Sequence, residues 1–309
     1  MQYNLFYAVQ SLLILVLSPL FIGILKKMKA TLRGYKGASI IQPYYDLSKL
    51  LKKGRVISNR SSFITTIGPI IMLATSITTV FFVPVFFTTM QNTIGNLFIL
   101  VFDFAIIKIF IVLIGLDSSS TFGGMGSSRE SFISMMAEPL TLFLLTFLYI
   151  ETKDFNIFHI SFINSNITHY DMAHIIVMVT FIIAILAENA RIPFDNPETH
   201  LELTMMHEAM ILDLSGSDLA FAELSSYIKL IVYLIILING FIPIGIATTF
   251  TVSALLIGFL AFAFKLIFCL LGIAIIETTI AKSKLFRSAE LFPATISLGI
   301  IAITLIYIL

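Results

Sequence analysis

The chain contains no tryptophan, one cysteine and few charged residues. Of its 309 residues, 12% are charged and 58% are hydrophobic, and the mean hydropathy is +1.00. Cys269 excludes an intramolecular disulfide, and its place within an apolar run leaves the redox compartment open. Without Trp, the 29 Phe and ten Tyr must supply any aromatic belt at the membrane surface. So little charge excludes a soluble globular protein.

Long apolar runs recur from one end of the sequence to the other. Each is long enough to cross roughly 30 Å of hydrocarbon, where backbone groups must be satisfied within the segment, as in a helix. The first run lacks a preceding basic residue and a cleavage site, so it is expected to be a retained span. The prediction is an all-α polytopic membrane protein with a single membrane domain over 1–309 and about eight transmembrane helices. The expected spans are 3–25, 62–90, 96–117, 131–151, 170–188, 227–250, 252–280 and 290–309.

Basic residues lie almost entirely in alternate connections. The connection 26–61 holds ten Lys or Arg, and three later connections add five more, whereas the other side holds Lys153 alone. The positive-inside rule then predicts that both termini are extracytoplasmic. The predicted cytoplasmic loops one, three, five and seven are 26–61, 118–130, 189–226 and 281–289.

Loop one combines an amphipathic pattern with a polar segment. From Pro43 onward, Tyr44, Leu47 and Leu50 have helical spacing, while the lysines lie elsewhere on the wheel. This pattern predicts an amphipathic helix in the membrane surface, after the first span. Anchoring to anionic lipid explains the lysines, but it explains Arg33 and the Gln42-Pro43 pair less well.

Loop three is rich in Ser and Gly, which permit tight turns and close backbone approach. It lacks the Lys-Ser/Thr ending of a phosphate-binding P-loop. A flexible connector and a functional loop both remain open for this segment.

The segment 187–216 concentrates acidic residues in an otherwise apolar chain. Eight of the 18 carboxylates lie in it or just beyond it. Glu198 and Glu202 are four residues apart, on one helix face, and crowding of like charges raises a carboxylate pKa toward neutral pH. The spacing of the nearby histidines fits neither HExxH nor Cys/His zinc patterns. We therefore expect a proton-exchanging segment, with no metal, cofactor or catalytic centre in this chain.

Ionisable residues also occur inside the predicted spans, where each is a functional candidate. Asp103 and Lys108 are five residues apart, about 140° on the helical wheel, so they need not pair. Glu138 precedes Pro139, which bends the helix, and this acid is a candidate proton-relay element. Snorkelling and internal salt bridges are the alternatives for Lys108, Lys229 and Lys265.

The motif AExxRxPFDxPE, followed by Ser-Gly, resembles a signature of complex I subunit 1, a membrane subunit of NADH dehydrogenases. It is also similar to the membrane subunit of group 4 nickel–iron hydrogenases, such as formate hydrogenlyase subunit 4. The resemblance covers essentially the whole chain. Matching positions are Glu188, Arg191, Pro193, Phe194, Asp195, Pro197, Glu198, Glu202, Ser215 and Gly216, together with Arg33, Gly37, Gln42, Pro43, Asp46, Lys49, Gly126, Arg129 and Glu138.

This resemblance implies a non-catalytic subunit of an oxidoreductase complex in the cell membrane. Such a subunit clamps a soluble redox arm to the membrane arm and links electron transfer to proton or sodium movement. The implied partners are hydrogenase-like large and small subunits, an iron–sulfur protein and antiporter-like membrane subunits, which would carry the iron–sulfur clusters and a nickel–iron centre; no nucleic acid is expected. The expected ion-coupling residues are Asp103, Lys108, Glu138, Glu188, Glu198, Glu202 and Asp213. The expected docking residues are Arg33, Gln42, Asp46, Arg129, Arg191, Asp195, His200, His207 and Glu208.

Two departures distinguish this sequence from quinone-reducing members of the family. His200 stands where those members usually carry another acid, and the stretch from Leu203 to Ser215 is about three residues longer than theirs. We therefore expect a hydrogenase-type complex first. The second alternative is the quinone-site subunit of a complex I NADH:quinone oxidoreductase. Two others have less support: a related complex whose large subunit has lost hydrogenase chemistry, and a stand-alone transporter, for which no internal repeat is evident.

Overall fold

The computed structural model describes residues 2–165, 171–195, 206–283 and 290–308. In chain order the elements are α1 (Gln2–Leu32), α2 (Gln42–Lys52), α3 (Phe63–Phe81), α4 (Leu97–Asp117), α5 (Thr121–Thr152), α6 (Ile157–Asn164), α7 (Met172–Glu188), α8 (His207–Ile211), α9 (Gly216–Ile236), a π-helical segment (Leu237–Phe241), α10 (Val252–Thr279) and α11 (Leu291–Ile308). Within those ranges, β pairing is limited to two isolated bridges.

Six helices are long and apolar enough to cross a membrane: α1, α3, α4, α5, α9 with the π-helical segment, and α10. Helices α7 and α11 are apolar but shorter. Together they correspond to the eight expected spans, and the predicted fold class, an all-α polytopic membrane protein, is confirmed. The cytoplasmic position of the basic loops stays a prediction.

The connections gather at two opposite ends of the bundle. At the basic end, where loops one, three, five and seven lie, Arg55 pairs with Asp218 at 2.5 Å and Lys282 with Asp195 at 2.6 Å. At the far end, the Asn96–Asn156 bridge joins the start of α4 to the start of α6. Helix α9 is the most enclosed span, with 72% of its apolar window buried against 28% for α10. Side chains on α9 therefore face neighbours on many sides.

The amphipathic helix expected after the first span is present as α2. It packs against α1 and α9, with Pro43 and Leu47 buried and Lys49 and Lys52 exposed. The Tyr44 hydroxyl donates to the Val16 carbonyl of α1 at 2.5 Å. The helix is therefore held against the bundle by side-chain contacts as well as by its amphipathic character.

Loop three differs from the expected connector, because α5 begins at Thr121 and continues into the span without interruption. The Ser120 hydroxyl caps the new helix by accepting from the Gly123 amide at 3.0 Å. A Cβ on Gly123 would lie 2.4 Å from the Gly115 carbonyl oxygen of α4, and one on Gly126 would lie 2.8 Å from the Met206 carbonyl oxygen. The small residues of loop three thus allow close helix packing rather than turns.

Other span boundaries were also misplaced. Helix α1 continues to Leu32 instead of ending at 25, and the sixth span ends at Phe241 instead of 250. Helix α3 ends at Phe81 instead of 90, and the chain after it folds into the far end, where Phe87 pairs with Ala247. The sixth span begins at Gly216 instead of 227. The polar side chains in its first turns are tolerated because residues of loop one pair with them, as Arg55 does with Asp218.

The backbone of loop one lies directly against Gly23 of α1. A Cβ at Gly23 would lie 1.8 Å from the Ile40 carbonyl oxygen, whereas a Cβ at Gly272 of α10 would have no atom within 4 Å. Ala stabilises a helix by about 1 kcal/mol relative to Gly. Gly23→Ala therefore destabilises the protein only if displacing Ile40 costs more free energy than this gain.

We predict that Gly23→Ala lowers the melting temperature of the detergent-solubilised protein by at least about 3 °C. The reason is that Ile40 and the loop around it must move away from α1. Gly272→Ala is the matched control and leaves the melting temperature unchanged or higher. Equal melting temperatures for the two variants would show that loop one does not lie against α1 in this way.

Candidate functional site

Four charged side chains from four different helices meet inside the membrane domain. We call Lys108 of α4, Glu130 of α5, Glu188 of α7 and Lys229 of α9 the buried charge cluster. Each is at most 5% exposed. Lys108 Nζ donates to Glu130 Oε1 and lies 3.7 Å from Glu188 Oε2. Lys229 Nζ lies 3.2 Å from the same oxygen and donates to the Glu188 carbonyl at 2.9 Å.

The cluster contains two cations and two carboxylates, so its formal charges cancel. Burying an unpaired charge costs several kcal/mol, and removing one partner of a buried pair costs about 3–5 kcal/mol. Mutual pairing therefore explains how four ionisable groups are tolerated here. It also makes every member dependent on the protonation state of the others.

Glu188 is the centre of the cluster, because both lysines approach its Oε2. Its Oε1 is buried and has no hydrogen-bond partner among the described residues. The Tyr233 side chain lies beside the carboxylate, and Glu138 of α5 is close enough for its charge to interact with both lysines and with Glu188. Glu188 therefore has an oxygen available for a proton or a water molecule.

A cavity of about 550 Å³ runs from the cluster toward the basic end. All four members of the buried charge cluster contribute to its lining. Lys26, which is exposed, and His207 and Glu208, which are half-buried, line it as well. The remaining lining combines apolar residues of α1, α3, α4, α8 and α9 with polar side chains that include Asn189, Glu223, Ser226 and Tyr227. The cavity thus connects buried titratable groups with the end at which the basic loops lie.

A second set of ion pairs holds the segment that follows α7. Glu277 of α10 pairs with Lys29 of α1 at 2.8 Å and with Arg191 at 3.2 Å, and its side chain is 1% exposed. Lys29 and Arg191 both line the cavity. These pairs fasten α1, α10 and loop five to one another around the cavity.

Asp195 organises loop five. Its Oδ1 accepts from Lys282 at 2.6 Å, and its Oδ2 accepts from the backbone amides of Met206 and His207, each at 3.1 Å. Asp195 is 1% exposed. It therefore joins loop five to loop seven and fixes the start of α8, which is a positioning role inside the protein.

The structure brings together only part of the expected coupling set. Lys108 and Glu188 belong to the cluster, and Glu138 lies beside it, half-buried. Asp103 is apart from it, bonded to Thr78 at 3.3 Å with no charged neighbour among the described residues. Asp213 is exposed at the basic end. Glu198, Glu202 and His200 lie outside the described residues.

The expected docking residues are spread over the basic end. Arg33 and Gln42 are exposed, and the Gln42 amide donates to half-buried Asp46 at 2.9 Å. Arg129 is half-buried on α5. The remaining residues of this set face inward, because Asp195 is buried and the others line the cavity: Arg191, His207 and Glu208.

Sequence reasoning missed several residues of the site. Glu130 falls at the end of the predicted loop 118–130, because the predicted span begins at 131. A Ser N-cap at Ser120 was the available signal for the earlier helix start. For Lys229 the sequence leaves two alternatives, snorkelling and an internal salt bridge. The structure shows the internal salt bridge, with Glu188. Glu277 lies inside a predicted span and is a candidate from its position, whereas Lys29 and Tyr233 have no sequence signal. The partners of all three are remote in the chain.

No three His, Cys, Asp or Glu side chains are grouped as metal ligands within the described ranges. The site instead offers paired lysines and carboxylates beside a cavity. Such an arrangement can take up, release and redistribute protons or cations, and it provides no nucleophile or redox group.

A solved structure and several curated proteins are similar to this chain. A chain in the structure of the membrane-bound sulfane sulfur reductase, an archaeal respiratory membrane complex, matches with a TM-score of 0.77 and 16% identity, over 96% of this chain and 99% of that one. At this identity the match shows the fold alone.

Among curated proteins, formate hydrogenlyase subunit 4 of Escherichia coli (strain K12) is 29% identical over 90% of both chains. Hydrogenase-4 component C of the same strain is 27% identical over 90% of this chain and 88% of that one. NADH-ubiquinone oxidoreductase chain 1 of Yarrowia lipolytica is 28% identical over 72% of this chain and 63% of its own length. A model of the family described as NADH dehydrogenase matches residues 5–308. The chain therefore belongs to the NADH dehydrogenase family, as a membrane subunit of the type found in complex I subunit 1.

Proposed function

We propose that this protein is the membrane-anchor and ion-coupling subunit of a hydrogenase-type complex in the cell membrane. The observation that carries this proposal is the buried charge cluster, joined by a cavity to the basic end. The relatives named as hydrogenase subunits match over nearly the full length, which favours that branch over complex I. The iron–sulfur clusters and the nickel–iron centre would then belong to partner subunits.

The coupling step of the proposal rests on the sharing of Glu188 by two lysines. If Glu188 is protonated, Lys108 keeps Glu130 as a partner, whereas Lys229 keeps only the Glu188 carbonyl. A new charge at the cavity mouth would change the proton affinity of the cluster, because interactions are weakly screened in a low-dielectric interior. Electron transfer in a docked partner would supply such a charge. The buried charge cluster would thereby convert a redox event into proton or sodium movement.

Glu138 extends the proposed path along α5. It is a fifth charge beside a neutral set of four, so its proton occupancy is not fixed by a direct ion pair. Its charge interacts with Glu188, Lys108 and Lys229. Glu198, Glu202 and Asp213 remain part of the proposal on the strength of the family resemblance alone.

The docking step rests on the surface of loop one. Residues outside the spans expose large apolar side chains, with Tyr35 71% and Val56 74% exposed. Ile41, Tyr45 and Leu51 are exposed as well, and several exposed apolar side chains on one surface are typical of a protein contact. The Val56 stretch is rigidly placed, since Ser215 Oγ accepts from the Val56 amide at 2.8 Å and donates to its carbonyl at 2.7 Å. A soluble hydrogenase-like subunit is the proposed occupant, with Arg33, Gln42, Asp46 and Arg129 in the same surface.

Gly216 makes this rigid placement possible. It has a φ of +56°, and a Cβ there would lie 2.9 Å from the Gly54 carbonyl oxygen. Only glycine adopts this conformation readily while allowing that approach. The Ser-Gly pair at the end of the family motif thus holds the docking loop against α9.

For the coupling step, we predict that Glu138→Gln and Glu188→Gln, made in the native complex, uncouple ion movement from electron transfer. The number of ions moved per electron pair should fall by at least about tenfold. A tenfold change corresponds to about 1.4 kcal/mol in the free energy of one protonation step. Ion uptake and electron transfer are measured together in inverted membrane vesicles.

Asp103→Asn is the matched control, because it neutralises a membrane carboxylate that lies apart from the cluster. It should keep the wild-type ratio. If Glu188→Gln prevents assembly, Glu138→Gln still decides, since Glu138 makes no direct ion pair in the cluster. Normal coupling in Glu138→Gln, or the same loss in Asp103→Asn, would contradict the proposed path.

For the docking step, we predict that Tyr35→Asp combined with Val56→Asp removes the soluble subunits from the complex. Loss of apolar contacts at an interface centre costs about 2 kcal/mol or more, so co-purification in mild detergent should fall at least about tenfold. Met90→Asp, at an exposed position of the far end, should leave co-purification unchanged. Equal retention in both variants would exclude loop one as the docking surface.

The identity of the co-purifying subunits separates the remaining functions. A large subunit with paired CxxC nickel ligands supports the hydrogenase-type complex. A large subunit without them, together with quinone-dependent activity, supports the alternative of a complex I quinone-site subunit, for which the cavity would be the binding space. Ion transport by the purified chain alone would support a stand-alone transporter.

A further inference from the structure

The π-helical segment at the far end leaves three successive carbonyls for side-chain donors. Asn164 of α6 donates to the Gly240 carbonyl at 3.2 Å, His174 of α7 donates to that of Phe241 at 2.8 Å, and Lys265 of α10 donates to that of Ile242 at 3.0 Å. A π segment disrupts the normal helical pattern and frequently marks a functional position. Here it is held by three neighbouring helices, two of which contribute a titratable group.

The contacts of His174 restrict where protons can lie. Its Nε2 faces a carbonyl oxygen, which only accepts, so Nε2 carries a hydrogen. Its Nδ1 faces the carboxylate of Glu151, at 2.9 Å from Oε1 and 3.1 Å from Oε2. A hydrogen must lie between Nδ1 and Glu151 as well, either on the ring or on the carboxyl group. Without it, lone pairs would face each other at hydrogen-bonding distance.

The surroundings of this pair make it a defined site. His174 is 2% exposed, whereas the side chain of Glu151 is 22% exposed, so the acid provides the path to water. The rings of Phe147 and Phe241 pack edge-on against the imidazole. Among the described residues, Asp171 contributes the other nearby charge, and the packed segments Leu237–Phe241 and Leu291–Ile308 contain no carboxylate, amine or imidazole.

We infer that His174 and Glu151 form a proton-binding site at the far end of the membrane domain, and that the bound proton holds the π-helical segment in place. The ligand is a single proton exchanged with water at the far end. The site is distinct from the buried charge cluster, whose cavity leads toward the basic end. Loss of the proton breaks the contact between His174 and Glu151 and weakens the hydrogen bond to Phe241.

The test is amide hydrogen exchange of the full chain in lipid nanodiscs, followed over residues 237–246 between about pH 5 and pH 10, on either side of an ordinary histidine pKa. Rates are divided by the intrinsic exchange rate at each pH. The protection of the wild-type segment should fall about fivefold with rising pH, because one hydrogen bond contributes about 1 kcal/mol net to stability. His174→Gln removes the imidazole and Glu151→Gln removes the carboxylate that holds the proton, so both variants should show a clearly smaller change of protection with pH than the wild type.

The matched control is His159→Gln, which removes the other imidazole among the described residues of the far end. His159 Nδ1 lies 2.7 Å from Asp154 Oδ2. Partial burial acts to raise the pKa of Asp154, but hydrogen bonds from the Asn156 amide and His159 outweigh it and hold the pKa below its ordinary value. His159→Gln should keep the wild-type change. Wild-type protection that is constant with pH, or a wild-type response in both His174→Gln and Glu151→Gln, would overturn the inference.

Discussion

The pairing of lysines with carboxylates inside the membrane domain is the constraint on which the rest of the structure depends. Lys108 and Lys229 would be prohibitively costly alone at this depth, and Glu188 would be as well. Their meeting requires α4, α5, α7 and α9 to be adjacent at matching heights. The packing of the helices and the geometry of the site therefore depend on each other, because a bundle that misplaced one of these helices would leave a buried charge unpaired.

The basic end is built by the same principle. Glu277 holds Lys29 and Arg191, and Asp195 holds Lys282, so that α1, α10 and loops five and seven surround the cavity. Small residues then allow backbones to approach where charges do not connect them, as at Gly23 and Gly216. The result is a rigid frame around a cavity that contains titratable groups. This frame is what a soluble partner would contact.

The two ends of the bundle use polar groups differently. At the basic end, opposite charges neutralise each other. At the far end, the π-helical segment exposes carbonyls, and side-chain donors from three helices satisfy them. Asn239 adds two bonds to the chain after α3, at 2.7 Å to the Pro84 carbonyl and 2.6 Å to that of Val85. An interrupted helix persists in an apolar environment only when its freed backbone groups find partners in this way.

Three features follow from the sequence alone: the membrane class, the surface helix α2 and the family. Each of these depends on local composition, periodicity or a contiguous motif. The boundaries predicted from the sequence were wrong at the start of α5, the end of α3 and the start of α9. Hydropathy does not reveal which polar groups find partners in distant parts of the chain. Lys108 is a candidate from its position within a span, but its partners Glu130 and Glu188 lie 22 and 80 positions away in the sequence. Only the tertiary structure decided which charges meet, since pairing in a low-dielectric interior is set by distance in space and not by spacing along the chain.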